Sequence, residues 1–196
     1  MLAPVRTVAP ATMPVSLAEA KAHLRYDDAD QDALIGSLVE AATARLDGWS
    51  GILGRCLVTQ TWALDLCGWP ADRTLRLPFP SCGKPVVTYR DTAHAEQTLD
   101  AAGVSGPVEF SAGTAALIYG DVALPALSDR PAPVTLTFTA GYGDAASVPP
   151  EIKGAILLMV GDAFRHRETA GPGAMNVIPV AASVDALVAP YRRVML

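Results

Sequence analysis

Cysteine is scarce in this chain: Cys56, Cys67 and Cys82 are all it has in 196 residues. They form no CxxC pair and stand near no pair of histidines. Neither a disulfide framework nor a zinc site is indicated, and a reduced intracellular setting fits best. Basic clusters are missing too. With 15 lysines and arginines against 20 acidic residues, the net charge is −5, and the basic face of a nucleic-acid binder is absent. No run approaches the ~18 apolar residues of a membrane span. The opening "MLAPVRTVAPATMP" has one arginine, and its prolines break any apolar stretch, so it reads as no secretory leader. The expectation is a protein made in the cytosol, with no membrane partner.

Catalytic signatures are equally thin. The stretch "TAGYGDAASVPPEIKGAILLMV" (139–160) has the layout of a phosphate cradle: strand, glycines, then a helix start with a lysine. A Walker loop needs GxxxxGK[ST], but Lys153 precedes its glycine and no Ser or Thr follows. A dinucleotide fingerprint needs a third glycine and a βαβ unit, and "GYGDAA" has neither. Pro149 and Pro150 remove N–H donors that a phosphate would use. There is no GxSxG elbow. Cys67 or Cys82 could be paired with His94 on paper, yet scattered cysteines are more often small buried hydrophobes. His23 and His166 lie on helices whose apolar faces are complete without them. The acidic "YDDADQD" (26–32) lacks the glycine and glutamate of an EF-hand loop, and the Asp27–Asp28 pair implies no pocket. The expectation is no catalytic, cofactor or metal residue.

What the chain does have is apolar content, 51% of residues, with only 18% charged. About 200 residues make one domain, or one with an elaboration, able to bury roughly 70% of its unfolded surface. So little charge hints at apolar surface that meets a partner. The order of elements follows from periodicity. In "PVSLAEAKAHLRY", Ser16 and Glu19 are spaced as a capping box, with Leu17, Ala20 and Leu24 on one face. A longer helix follows with Asp30 as its cap. Leu34, Ile35, Leu38, Val39, Ala42, Leu46 and Trp49 recur at helical spacing, and Gly51 is a left-handed stop.

From Leu57 the period becomes two: "LVTQTWALDL" sets Val58, Gln60, Trp62, Leu64 and Leu66 on one face. Proline-punctuated pieces "TLRLPFP", "KPVVTYRD", "PVEF", "AALIYG" and "PVTLTFTAGYG" read as a small antiparallel sheet or barrel, with "DTAHAEQTLDAAG" as a hairpin tip. Helical character returns at Pro149, with Pro150 in the first turn, and runs to "RHRE". A Gly/Pro connector, "TAGPGAMNVIPVAA", leads to a short capped helix, "SVDALVAPYRRVML", that Pro190 ends. The fold class is α+β. A helical core of residues 14–51 and 149–182 holds an antiparallel β-rich insertion of residues 52–148, and a tail of residues 183–196 closes the chain.

Three stretches together carry a resemblance. They are "PVSLAEAKAHLR…LVEAATARLDGWSGILGRCLVTQTWALDLCGWP", "LRLPFPSCGKPVVTYRD", and "FTAGYGDAASVPPEIKGAILLMVGDAFRHRE" with "ALVAPYRR". In this order, over nearly the whole chain, the sequence resembles the head–tail connector (adaptor, or head-completion) proteins of long-tailed phages. It is most similar to the versions in prophages and alphaproteobacterial gene transfer agents. The resemblance implies a structural virion protein of the neck, not an enzyme: a ring, usually of twelve copies, beneath the portal. Such a ring extends the DNA channel and meets a tail-side stopper or connector protein. Each subunit stays monomeric until the portal templates the ring.

The resemblance further implies a helical connector core of four helices. The tail would dock on the portal protein through Leu187, Tyr191, Arg192, Arg193 and Leu196. Helix faces around Leu34, Leu38, Ile152 and Ile156 would meet ring neighbours, helped by small residues in "EAATA" and "IKGAI". DNA would pass without specific binding. The alternatives are a stopper or tail-terminator piece, or a small-molecule hydrolase on an α+β scaffold.

Overall fold

Alternation of apolar residues governs the β-rich part, as expected. The computed structural model describes residues 3–110, 113–166 and 180–193. Its strands are β1 (Val5–Val8), β2 (Gln60–Leu66), β3 (Thr74–Leu77), β4 (Val86–Arg90), β5 (Glu96–Thr98), β6 (Val108–Phe110), β7 (Gly113–Leu117) and β8 (Val134–Ala140). They make two antiparallel sheets, one ordered β1-β2-β8-β4-β5 and one ordered β3-β7-β6. β2 and β8 pair along their whole length, from Gln60↔Ala140 to Leu66↔Val134. Both bury every second residue: Gln60, Trp62 and Leu64 on one, Val134, Leu136, Phe138 and Ala140 on the other. Phe79 completes this core, its ring 4.8 Å from Trp62 and 6.4 Å from Phe138. The "DTAHAEQTLDAAG" tip is a hairpin. Asp91 Oδ1 accepts the N–H groups of Ala93 and Ala95 at 2.9 and 3.0 Å, which closes the turn between β4 and β5.

β1 is a strand that periodicity does not reveal. All four of its residues are exposed, so no alternation marks them. Pairing with β2, Val5↔Ala63 and Arg6↔Trp62, is what makes it extended. Residues up to Ala11 therefore join Thr59–Tyr142 in one compact unit, and Thr12–Val58 with Gly143–Arg193 form the other. Residues 52–58 and 143–148 thus lie with the helices rather than in the β-rich insertion.

The helical unit holds α1 (Leu17–Leu24), α2 (Asp32–Leu46), α3 (Pro150–Arg165) and α4 (Val180–Val188). At α1 the capping box is formed. The Glu19 N–H donates to Ser16 Oγ at 3.2 Å, and the Ser16 N–H donates to Glu19 Oε2 at 2.7 Å. These bonds, the Ser16 backbone first and its hydroxyl second, hold the Glu19 carboxyl below its usual range. Leu17 departs from the expected face and is exposed, while Ala20 is buried.

α2 differs at both ends from its expected bounds. Asp30 is not its cap, because its carboxylate accepts the Tyr26 hydroxyl, a bond that holds that phenol above its usual range. Gln31 takes the N-cap position, and its side chain does not cap the helix. The helix stops at Leu46, leaving Trp49 outside it and exposed. Asp47 turns extended and Oδ1 accepts the Leu57 N–H at 2.7 Å. Gly51 has no left-handed φ; that conformation falls to Gly48 (φ 76°) and Gly54 (φ 61°). Gly51 is needed for another reason: a Cβ there would lie 2.4 Å from backbone atoms of Leu46 and Asp47.

α3 begins as expected, with Pro149 at the N-cap and Pro150 in its first turn. Its Ile152, Ala155, Ile156 and Val160 are buried, as are Ile35, Val39, Ala42 and Leu46 of α2. α4 starts at Val180, so Ser183 sits inside it and does not cap it, and Pro190 falls in a 3-10 turn, Ala189–Tyr191. The chain is thus of mixed α+β class, with strands in one unit and helices in the other. The connector "TAGPGAMN" lies outside the described residues.

Candidate interaction surfaces

The junction from β8 into α3 is the first place to look, since its layout suggested a phosphate site. Gly141 (φ 138°) and Gly143 (φ 127°) turn the chain through angles that side chains avoid. Asp144 Oδ1 then accepts the N–H and the hydroxyl of Ser147, at 2.9 and 2.8 Å, with its carboxyl held below its usual range by the hydroxyl bond first. The N–H groups of Ile152 and Lys153 both donate to the Pro149 carbonyl. The first turn of α3 thus spends two donors internally, and the loop carries the chain from strand into helix.

The nucleophile readings come apart on geometry. Cys82 is buried and its thiol donates to the Phe79 carbonyl at 3.1 Å, while Cys67 is exposed. His94 meets neither in a hydrogen bond. Its Nδ1 lies 2.7 Å from Ser128 Oγ, in a hairpin turn where its φ is 63°. A Ser–His pair beside Asp91 has the outline of a hydrolase site, yet Ser128 is only 7% exposed and Oγ also accepts the Arg130 N–H. Asp91 is occupied by Gln97 and two turn amides, which keep its carboxyl below its usual range. The constellation ties the β4–β5 hairpin to Ser128, with each side chain committed to a structural bond. His23 packs 3.4 Å from where a Cβ on Gly161 would sit, and His166 lies 3.9 Å from Asp162. No group of three or more His, Cys, Asp or Glu side chains among the described residues is placed to hold a metal. No helix there is long and apolar enough to cross a membrane.

The residues singled out for assembly fare unequally. Ile152 and Ile156 are fully buried, so they have no surface to offer a ring neighbour; they hold α3 in its own core. Leu34 and Leu38 are half-buried and keep an outward edge. The small residues of "EAATA" and "IKGAI" are used inside the unit too: Ala42, Thr43 and Ala155 are buried. In the tail, Val184 and Val188 are buried and Leu187 reaches to within 3.9 Å of a Cβ placed on Gly154 of α3. The Tyr191 hydroxyl donates to Glu151 at 2.8 Å, and the Arg193 N–H donates to the Leu53 carbonyl at 3.0 Å. Of the tail residues, Arg192 is exposed and pairs with Asp185 on the surface. Leu196 lies outside the described residues.

Sequence reasoning missed the apolar surface that is exposed. In the helical unit Met13 and Leu17 rim a groove of about 220 Å³ beside α2, and Trp49 and Ile52 stand out from the loop after it. In the sheet unit Val5 and Val8 of β1 and Val86 of β4 are each more than half exposed. The low overall charge was the one signal for such surface.

Comparison with solved structures decides what the arrangement belongs to. A chain from the neck of an empty gene transfer agent particle, computed with C6 symmetry, shares this fold with a TM-score of 0.78 and 25% identity. The match covers 100% of this chain and 97% of that one. The fold is that of a gene transfer agent neck protein. A chain from the virion of a native gene transfer agent particle agrees at a TM-score of 0.76 and 23% identity, again over 100% and 97% of the two chains. One from the neck of a native particle, computed with C12 symmetry, agrees at 0.75 and 21%, with the same coverage. No family model and no curated protein matches the sequence.

Proposed function

We propose that this chain is a structural protein of the neck of a gene transfer agent or phage-like particle, a head–tail adaptor forming a ring beneath the portal. What supports this most is the likeness of fold along the whole chain to neck components, one of them computed with C12 symmetry. Twelve copies at −5 each would gather about −60 around the ring. Such a lumen repels phosphates, so DNA slides through it, whereas neutralising contacts would hold it. The portal lies on one side and a tail-side protein on the other. Arg192 is the described tail residue most available to the portal.

Light scattering and negative-stain microscopy, with the chain alone and with portal-bearing heads, test this reading. A single chain that becomes a twelvefold ring on the heads is the expected result. A monomer indifferent to the heads would sink it. Attachment only after another ring already covers the portal would assign the stopper role instead. Fluorescence titration with duplex DNA at physiological salt is expected to show no strong binding; a tight complex would overturn the sliding-lumen idea.

A further inference from the structure

Rings closed by rotation join two different surfaces of one subunit, which must fit each other. The five-stranded sheet has two such surfaces at its ends. β1 and β5 each pair with one strand only among the described residues. The Leu99 N–H donates inward to Val87, so the alternate amides of Thr98 and Glu96 point away from the sheet. An edge like this accepts another strand.

The two edges are complementary in character. β1 offers Val5 and Val8, 63% and 57% exposed, around an exposed Arg6 that also donates to Gln60 of β2 at 3.4 Å. Beside β5 runs a groove of about 350 Å³ lined by Pro85, Val86, Leu99, Ala101 and Val104. Lys84 spans it by donating to the Ala101 carbonyl. Exposed Asp100 lines it and accepts the Ala102 N–H, and exposed Glu96 on β5 holds a long 3.5 Å surface pair with Arg90; both are opposite in sign to Arg6.

We propose that β1 of one copy adds to the β5 edge of the next, its valines entering the groove and Arg6 facing Glu96 and Asp100. The sheets then run on from subunit to subunit. This rests on the ring reading and specifies which surfaces close the ring.

Paired cysteines test it in the full chain carrying Cys67→Ser, the exposed native thiol removed. Thr7→Cys is combined with Gln97→Cys in one protein and with Thr98→Cys in another, so that both faces of β5 are sampled. Within one chain the two edges lie four strand spacings apart, roughly 19 Å, far beyond the ~7 Å limit for a disulfide. Assembly on portal-bearing heads followed by mild oxidation should give a ladder of disulfide-linked oligomers in at least one pair. Rings of full mass without any ladder would overturn the strand addition and leave the ring reading intact. A single-chain mass on the heads would overturn both. In parallel, Val5→Glu with Val8→Glu, at exposed positions that spare the fold, should raise the concentration needed for assembly at least tenfold. Unchanged assembly of that folded variant also counts against the proposal.

Discussion

At the scale of single residues, the capping box at Ser16 is the simplest local determinant. Ser16→Ala removes the acceptor of the Glu19 N–H, so a loss of ~1 kcal/mol is expected in urea unfolding. pH dependence follows from the same bonds. Glu19 and Glu151 are held below the usual 4.5, and Asp72, Asp91 and Asp144 below the usual 3.8. Groups with lowered folded values bind fewer protons folded than unfolded. Their contribution is complete above about pH 4.5 and is lost as pH falls through their folded values. Unfolding midpoints should therefore hold from pH 7 to 5 and drop below 4.5, with a shallower drop in Ser16→Ala. Trp62 is a different case. It is 7% exposed, and its indole N–H has no hydrogen-bond partner among the described residues. Trp62→Phe sheds that unpaired donor and should cost well under the ~3–5 kcal/mol of Trp62→Ala. Equal losses in thermal melts would show that the donor is satisfied.

At the scale of elements, glycines and the tail helix decide most. Gly51→Ala forces a Cβ onto the carbonyl end of α2, at 2.4 Å, where backbone and not a flexible side chain must yield. Gly143→Ala places a Cβ 3.1 Å from Ser147 Oγ at a φ of 127°. Both should destabilise, by ~1–3 kcal/mol for the strained junction and by more at Gly51; calorimetry would rank them. The tail helix bears on how portal docking is tested. Deleting residues from 183 onward was the natural truncation, but it would strip buried Val184 and Val188 from α3. That truncation is expected to unfold part of the helical unit, which would hide any effect on docking. Arg192→Glu is cleaner, since its surface pair with Asp185 contributes ~0–1 kcal/mol. It should leave the melting temperature within a few degrees and reduce attachment to heads. Full attachment of this variant would remove Arg192 from the docking surface.

At the scale of the whole molecule, a pI near 5.1 and 18% charged residues go with apolar surface left open, Val5, Val8 and Val86 among it. Legibility followed periodicity. The β2 strand showed in "QTWALDL" because half its residues are buried, and α3 showed because prolines start it and an apolar stripe sustains it. β1 did not show, since four exposed residues carry no period. The bounds of α2 are not legible because they depend on partners outside its own pattern: Asp30 bonds Tyr26 at one end, and Asp47 bonds the Leu57 N–H at the other. Ile152 and Ile156 looked available to neighbours only because a sequence cannot tell one buried face from another.

The sequence by itself determined the α+β class, the capping box, the central strands and the strand-to-helix junction. Each depends on residues close in the chain, whose spacing, ring constraints or missing Cβ act locally. Tertiary structure alone decided that the N-terminal segment is an edge strand, that the tail helix packs on α3, and that His94 meets Ser128 and not a cysteine. Those outcomes join residues tens of positions apart. Burial and pairing set them, and neither is encoded in any single window of the chain.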